Sequence, residues 1–276
     1  MCTFAGGYQT LLTMIQMPKT RYPIGIQTFE RIISEGYVYV DKTDLVWQLA
    51  HTATYTFLSR PRRFGKSLLT TTLKSYFEGR RDLFEGLKIM PLEQEWKQYP
   101  VIHLDMSGAK DKGDATNLQR YLRYYIAELM PQYPGDIERT PGEQLANLIR
   151  RINEESGKKA VLLIDEYDAP LLDVMHEQDN LDAMRKVMRE FYQPLKMLEG
   201  RIHFCFLTGI TKFSQLSIFS TLNNIMNVSL MPEFATICGI TEREMETCMT
   251  DGIDALAEYY GCKHDEMVQS LRLKYD

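Results

Sequence analysis

The sequence predicts an α/β fold: a mainly parallel sheet of about five strands flanked by helices, with a small helical C-terminal extension. Three observations predict it. Short apolar runs alternate with segments of helical spacing along the chain. Runs such as Pro100–Asp105 are apolar on both faces in part, as buried parallel strands are. The apolar run Tyr55–Leu58 passes through a tight basic loop directly into a helix start. The 276 residues suffice for one large or two small domains.

The elements follow in order. Pro23–Phe29 is a short apolar patch, and Phe29–Ile33 reads as a helix that stops near Gly36. Tyr37–Val40 is rich in β-formers. Asp41 or Thr43 is placed to cap a helix over Leu45–Ala50. Tyr55–Leu58 is the first strand of the sheet. The next helix starts at Gly65, carries Leu68, Leu69, Leu73 and Phe77 at helical spacing, and ends at Gly79. Leu83–Leu87 is a short helix or turn, and Pro100–Asp105 is the second strand. Leu118–Met130 and Glu143–Asn153 are helices, joined by a proline-bearing loop over Pro131–Pro141. Ala160–Ile164 is the third strand. A helix over Asn180–Tyr192 is expected to end before Pro194, because proline removes a backbone donor and crowds the preceding turn. His203–Leu207 is the fourth strand, and Asn227–Leu230 a short fifth. Thr241-x-x-Glu244 is a capping box, with Ile240 and Met245 spaced for a hydrophobic staple, and two helices close the chain.

The loop after the first strand carries chemistry. Tyr55-Thr-Phe-Leu-Ser-Arg-Pro-Arg-Arg-Phe-Gly-Lys-Ser-Leu-Leu69 ends in Gly65-Lys66-Ser67, the end of the phosphate-binding pattern G-x-x-x-x-G-K-[ST]. Gly65 lets the backbone approach a phosphate closely. The amides that follow open a helix, whose N-terminus attracts anions. Lys66 is placed to reach the β- and γ-phosphates, and the Ser67 hydroxyl to ligate Mg²⁺. Arg60 stands where the pattern has its first glycine. The candidate nucleotide-binding residues are therefore Arg60, Pro61, Arg62, Arg63, Phe64, Gly65, Lys66, Ser67 and Leu68. Three roles stay open for Arg60, Arg62 and Arg63: phosphate contact, a clamp on neighbouring acids, or action across a subunit interface.

A second half of such a site lies at Lys159-Ala-Val-Leu-Leu-Ile-Asp-Glu166, an apolar strand ending in two acids. Asp165 is the candidate to hold Mg²⁺ with Ser67. Glu166 is the candidate to orient and polarise the attacking water. The fourth strand ends at Thr208-Gly-Ile-Thr-Lys212. Ligands of such sheets bind beyond the carboxyl ends of the strands, so Thr208 is the first candidate to sense the γ-phosphate and Lys212 the second. Asp168 is a candidate salt-bridge partner for one of the loop arginines. His103 and His203 lie in apolar strands and read as structural.

Composition narrows the rest. Hydrophobic residues make up 44% and charged residues 25%, ordinary for a globular protein with a proper core. A net charge of −5 gives no global case for nucleic-acid binding. Cys2, Cys205, Cys238, Cys248 and Cys262 contain no C-x-x-C pair, which points to reduced thiols in a cytoplasm rather than to zinc or a disulfide framework. No apolar run approaches membrane-spanning length. Met1–Gln16 does not read as a signal peptide. Met17 is an alternative start that would make residues 1–17 an N-terminal extension.

Leu58–Leu69, Leu163-Ile-Asp-Glu-Tyr-Asp-Ala-Pro170 and Leu207–Phe219 together resemble the bacterial AAA-ATPase-like family. Tyr22-Pro-Ile-Gly25 and Tyr39-Val-Asp-Lys-Thr43 fit its N-terminal part, so the resemblance runs from Pro18 to the C-terminus. The resemblance implies a P-loop NTPase of the additional-strand type, in which the fourth strand inserts between the first and third. It also implies that arginine at the first loop position is usual. It places the ATPase-like domain over residues 18–235 and a helical extension over 236–276. In this family a PD-(D/E)XK nuclease-like domain often follows; this chain stops at Leu273–Asp276, inside what resembles the entry to that region, and carries no visible nuclease motif. The expected function is a cytoplasmic, Mg²⁺- and ATP-binding ATPase that hydrolyses ATP to regulate an attached or partner effector, or to work within a homo-oligomer. The alternative is a nucleotide-gated scaffold with negligible turnover. Direct nucleic-acid or membrane binding by this chain is not expected.

Overall fold

The computed structural model describes residues 21–211 and 225–275. Its elements in chain order are α1 (Phe29–Ser34), α2 (Thr43–Thr52), β1 (Tyr55–Ser59), α3 (Lys66–Phe77), β2 (Val101–Asp105), α4 (Ala115–Leu129), α5 (Pro141–Ser156), β3 (Ala160–Asp165), α6 (Ala169–Leu172), α7 (Gln178–Met197), β4 (Ile202–Gly209), β5 (Met226–Asn227), α8 (Glu242–Cys248), α9 (Thr250–Tyr260) and α10 (His264–Tyr275). None of the described helices is long and apolar enough to cross a membrane.

The strands form one five-stranded sheet in the order β2-β3-β4-β1-β5, with every pairing parallel. β4 lies between β1 and β3, as the family resemblance implies. The register puts Ser59 beside Gly209 and Asp105 beside Asp165, so the carboxyl ends of β1, β2, β3 and β4 form one edge. Apolar residues cover both faces, which explains the near-continuous apolar runs. Ile102, Leu104, Leu162, Ile164, Cys205 and Leu207 join Leu118, Leu122 and Ile126 of α4, Leu145, Ile149 and Ile152 of α5, and Met184, Met188 and Leu195 of α7 in one core. On the other face Phe77, at the end of α3, packs on Phe204 with ring centroids 5.0 Å apart.

Two expectations change. α7 runs through Pro194 to Met197 rather than ending before it. Proline leaves the Glu190 carbonyl without its helical donor. Gly142 of α5 lies against that carbonyl, so closely that a Cβ there would sit 2.5 Å from the oxygen. The ladder then resumes with the Leu198 amide donating to Pro194 O at 2.9 Å. Tyr37–Val40 forms no strand; its pairing is a single bridge between Arg21 and Tyr37. Gly36, at φ +68°, turns the chain out of α1.

Two compact units divide the chain, one of residues Gln27–Arg31 and Asp41–Gly239, the other of Met1–Ile26, Ile32–Val40 and Ile240–Asp276. The first holds the sheet. In the second, Ile253, Ala257, Met267 and Val268 pack α9 on α10. Its α8 starts with the expected capping box: Thr241 Oγ1 accepts from the Glu244 amide at 3.2 Å and Glu244 Oε2 from the Thr241 amide at 2.8 Å. Ile240, half of the expected staple, remains 55% exposed.

Candidate functional site

β1 delivers the chain to the edge of the sheet at Ser59, and α3 leaves from it at Lys66. Between them Pro61–Gly65 is exposed. Arg63 at φ +68° and Gly65 at φ +84° bend the loop back on itself. Gly65 has open space where a Cβ would stand, but that φ is one a side chain disfavours. No described residue accepts the amides of Arg62, Arg63, Phe64 or Gly65. A run of unpaired amides before a helix N-terminus is a cradle for an anion. Lys66 is buried, and its Nζ donates across the loop to Pro61 O at 3.0 Å.

Ser67, in the first turn of α3, stands near the Asp165 carboxylate at the end of β3, and its hydroxyl favours the ionised form. The two candidate metal ligands are therefore adjacent, although they come from distant parts of the sequence. Asp165 is only 4% exposed, and burial pushes its carboxyl above the usual range; the Ser67 hydroxyl and Lys66 oppose that shift. Glu166 follows at φ +49°, an uncommon conformation for a residue with a side chain, and its amide donates to Asp165 Oδ1 at 2.9 Å. Burial, then the charges of Asp165 and Asp105, push the Glu166 carboxyl up, with Lys66 opposing. A raised carboxylate in this position is the more basic for it.

Asp105 is the residue that sequence reasoning missed. It ends β2 as Asp165 ends β3, and the two are direct register partners. The signal was present: two apolar runs each end in an acid, and parallel neighbours align their ends.

Three of the candidates have protein partners in the structure. Thr208 is fully buried, and its hydroxyl donates to Leu58 O at 2.8 Å. It clips β4 to β1. Arg60 does not extend into the mouth of the loop. Its guanidinium donates to the carbonyls of Ser59 at 3.0 Å, Ser229 at 2.7 Å and Phe234 at 3.1 Å. Asp168 pairs with none of the arginines: its Oδ2 accepts the amides of Ile210 at 3.1 Å and Thr211 at 2.6 Å. Gly209 is required beside it, since a Cβ there would lie 2.4 Å from Asp168 Oδ1. Those contacts join the turn after β3 to the turn after β4. Arg62 and Arg63 are exposed, and Leu68 is half-buried on α3. Lys212 and the stretch to Phe219 lie outside the described residues, as does the proposed extension at residues 1–17.

The structure of the Aeropyrum pernix ORC2 protein (ADPNP-ADP complexes) aligns with a TM-score of 0.43 and 13% identity, over 80% of this chain and 54% of that one. In sequence, an uncharacterized protein from the vnfD 5′ region of Azotobacter chroococcum mcd 1 is 34% identical over 246 residues, 87% of this chain and 47% of the relative. The chain thus spans about half the length of this curated relative. The family model described as Predicted AAA-ATPase matches residues 23–219, the stretch that contains the loop, both acids and all four strands that meet at the site. This chain belongs to the predicted AAA-ATPase family.

Proposed function

We propose that this chain binds Mg·ATP at the Arg60–Leu68 loop and hydrolyses it, and that the nucleotide state regulates an attached or partner effector. What supports the reading is that the Ser67 hydroxyl and the Asp165 carboxylate, one from each expected half of a phosphoryl-transfer site, lie near one another. The donor set fits the group: a hydroxyl and a carboxylate are the hard oxygen ligands that Mg²⁺ takes. Bound Mg²⁺ would supply charge neutralisation at the phosphate oxygens.

The chain's own residues would do the rest. The exposed loop amides and Gly65 would receive the phosphates. Lys66 Nζ would exchange Pro61 O for a terminal phosphate oxygen, one acceptor for a more strongly charged one. Ser67 and Asp165 would hold the metal. Glu166, with its basicity raised by burial and by its acidic neighbours, would orient a water and take its proton. The free thiols of Cys205, Cys238, Cys248 and Cys262 agree with a reducing, cytoplasmic setting.

The test separates binding from turnover. Glu166→Gln should keep ATP affinity and lose phosphate release, measured by equilibrium binding and a phosphate assay on the same preparation. Wild-type protein that binds ATP without releasing phosphate, alone and with candidate partners, would replace this reading with the nucleotide-gated scaffold.

A further inference from the structure

We infer that Arg60 is a positioning residue: it fastens the start of the phosphate loop to the segment Ser229–Gly239 and so holds the loop in its nucleotide-receiving shape. This deepens the proposed ATP site and rests on it.

The general pattern has glycine where this chain has Arg60, yet the arginine does not reach for the phosphates. Arg carries donors in a fixed planar fork. Here the fork serves three main-chain carbonyls, Ser59, Ser229 and Phe234, at 3.0, 2.7 and 3.1 Å. Two of the three belong to the segment that follows β5. Charge-assisted bonds of this kind are stronger than neutral ones.

Other bonds fasten the same segment to the same loop. The Ser59 amide donates to Ser229 Oγ at 2.9 Å. At the loop's other end the Gly239 amide donates to Phe64 O at 2.8 Å. Gly239 has φ +82°, and a Cβ there would lie 3.3 Å from Phe64 Cδ1, so the close approach favours glycine twice over. Between these points Lys42 Nζ donates to Thr236 O. One stretch of chain thus grips both ends of an otherwise exposed loop, and it lies beyond residue 219, outside the family match.

The consequence is energetic. A loop that visits its binding shape only part of the time binds more weakly by that fraction. The general pattern relies on glycine for the shape of the turn; this chain imposes the shape from outside, through Arg60.

The variant that tests this is Arg60→Gly, which restores the general pattern while removing the clamp. Two readouts are taken on the folded full chain: equilibrium binding of ATP with Mg²⁺, and amide hydrogen exchange at Gly239 and Ser59 without nucleotide. Arg60→Gly should weaken ATP binding about tenfold or more and speed exchange at both amides. Arg60→Lys should not restore either, because a single ammonium cannot replace the three-carbonyl fork. Gly239→Ala, at the other end of the segment, should weaken ATP binding in the same direction. Arg60→Gly that binds ATP like wild type overturns the inference. So does weakened binding with unchanged Gly239 exchange, which would make Arg60 a direct phosphate contact. If wild type binds no ATP, the proposed function fails, while exchange at Gly239 still decides whether Arg60 fastens the loop.

Discussion

Thr208→Val discriminates between two roles for one hydroxyl. The substitution keeps the shape of the side chain and removes its donor. In the structure that donor is fully buried and bonded to Leu58 O at 2.8 Å. A net intramolecular hydrogen bond contributes about 1 kcal/mol. For a domain of this size that corresponds to a melting temperature lower by roughly 3 °C. Leu58 stays paired with Thr208 in the β1–β4 ladder, so the loss should not spread to the phosphate loop. The assay is thermal unfolding beside ATP binding and turnover on the same protein. The account expects a small loss of stability with affinity and rate close to wild type. A tenfold loss of turnover at unchanged melting temperature would refute it and return Thr208 to the role of phosphate sensor.

Asp168→Ala should cost about 3 kcal/mol, because the amides of Ile210 and Thr211 both lose their buried acceptor; urea unfolding measures it, and a loss below about 1 kcal/mol would contradict the assignment. Asp165→Asn should raise the melting temperature of the nucleotide-free protein at about pH 8. Burial raises the Asp165 carboxyl above its unfolded value, so the native state loses stability as pH rises from the unfolded pKa to the folded one; the cost is complete above the folded pKa and absent only below the unfolded one. The advantage of the variant should therefore shrink on acidification, and an advantage that grows instead would contradict the sign. The isolated chain should bind DNA weakly at physiological salt and show no nuclease activity, since its net charge of −5 offers little counterion release. Gel shift and cleavage with Mg²⁺ or Mn²⁺ test this, and cleavage that survives mutation of Lys66 and Asp165 would reveal a second active site.

Much of this molecule was legible where local chemistry and tertiary structure agree. The strands announced themselves as apolar runs because parallel strands are covered on both faces; Lys66 and Ser67 open the helix after β1 and its loop, and Asp165 ends β3 with Glu166 next to it. The capping box at Thr241 was readable for the same local reason. A matching one stands at Thr140, with Pro141 at the first helical position and Glu143 returning the bond, and it starts α5 earlier than the apolar spacing alone predicts. The rest was not local. Pro194 looked like a helix end because proline usually ends a helix, and the close packing of Gly142 on the Glu190 carbonyl lies across a helix interface. Thr208 looked available because a strand end is a plausible place for a ligand contact. Only the pairing with β1 shows where its hydroxyl goes. Arg60 was open to phosphate, to neighbouring acids or to an interface, whereas the carbonyls of adjacent Ser59 and of distant Ser229 and Phe234 take its donors. Arginine and threonine reveal a chemical capacity in sequence, but the partner that takes up the capacity is a tertiary fact.

The most direct test of the central claim is a titration of Mg·ATP into wild-type protein and into Lys66→Ala, followed by calorimetry or by a fluorescent ATP analogue. Lys66 is the buried cation at the start of α3, and its Nζ lies across the loop on Pro61 O. The account predicts saturable one-site binding to wild type and a loss of at least about a hundredfold in the variant, as removal of a charge-assisted contact to a phosphate implies. Equal affinity in the two proteins would contradict it.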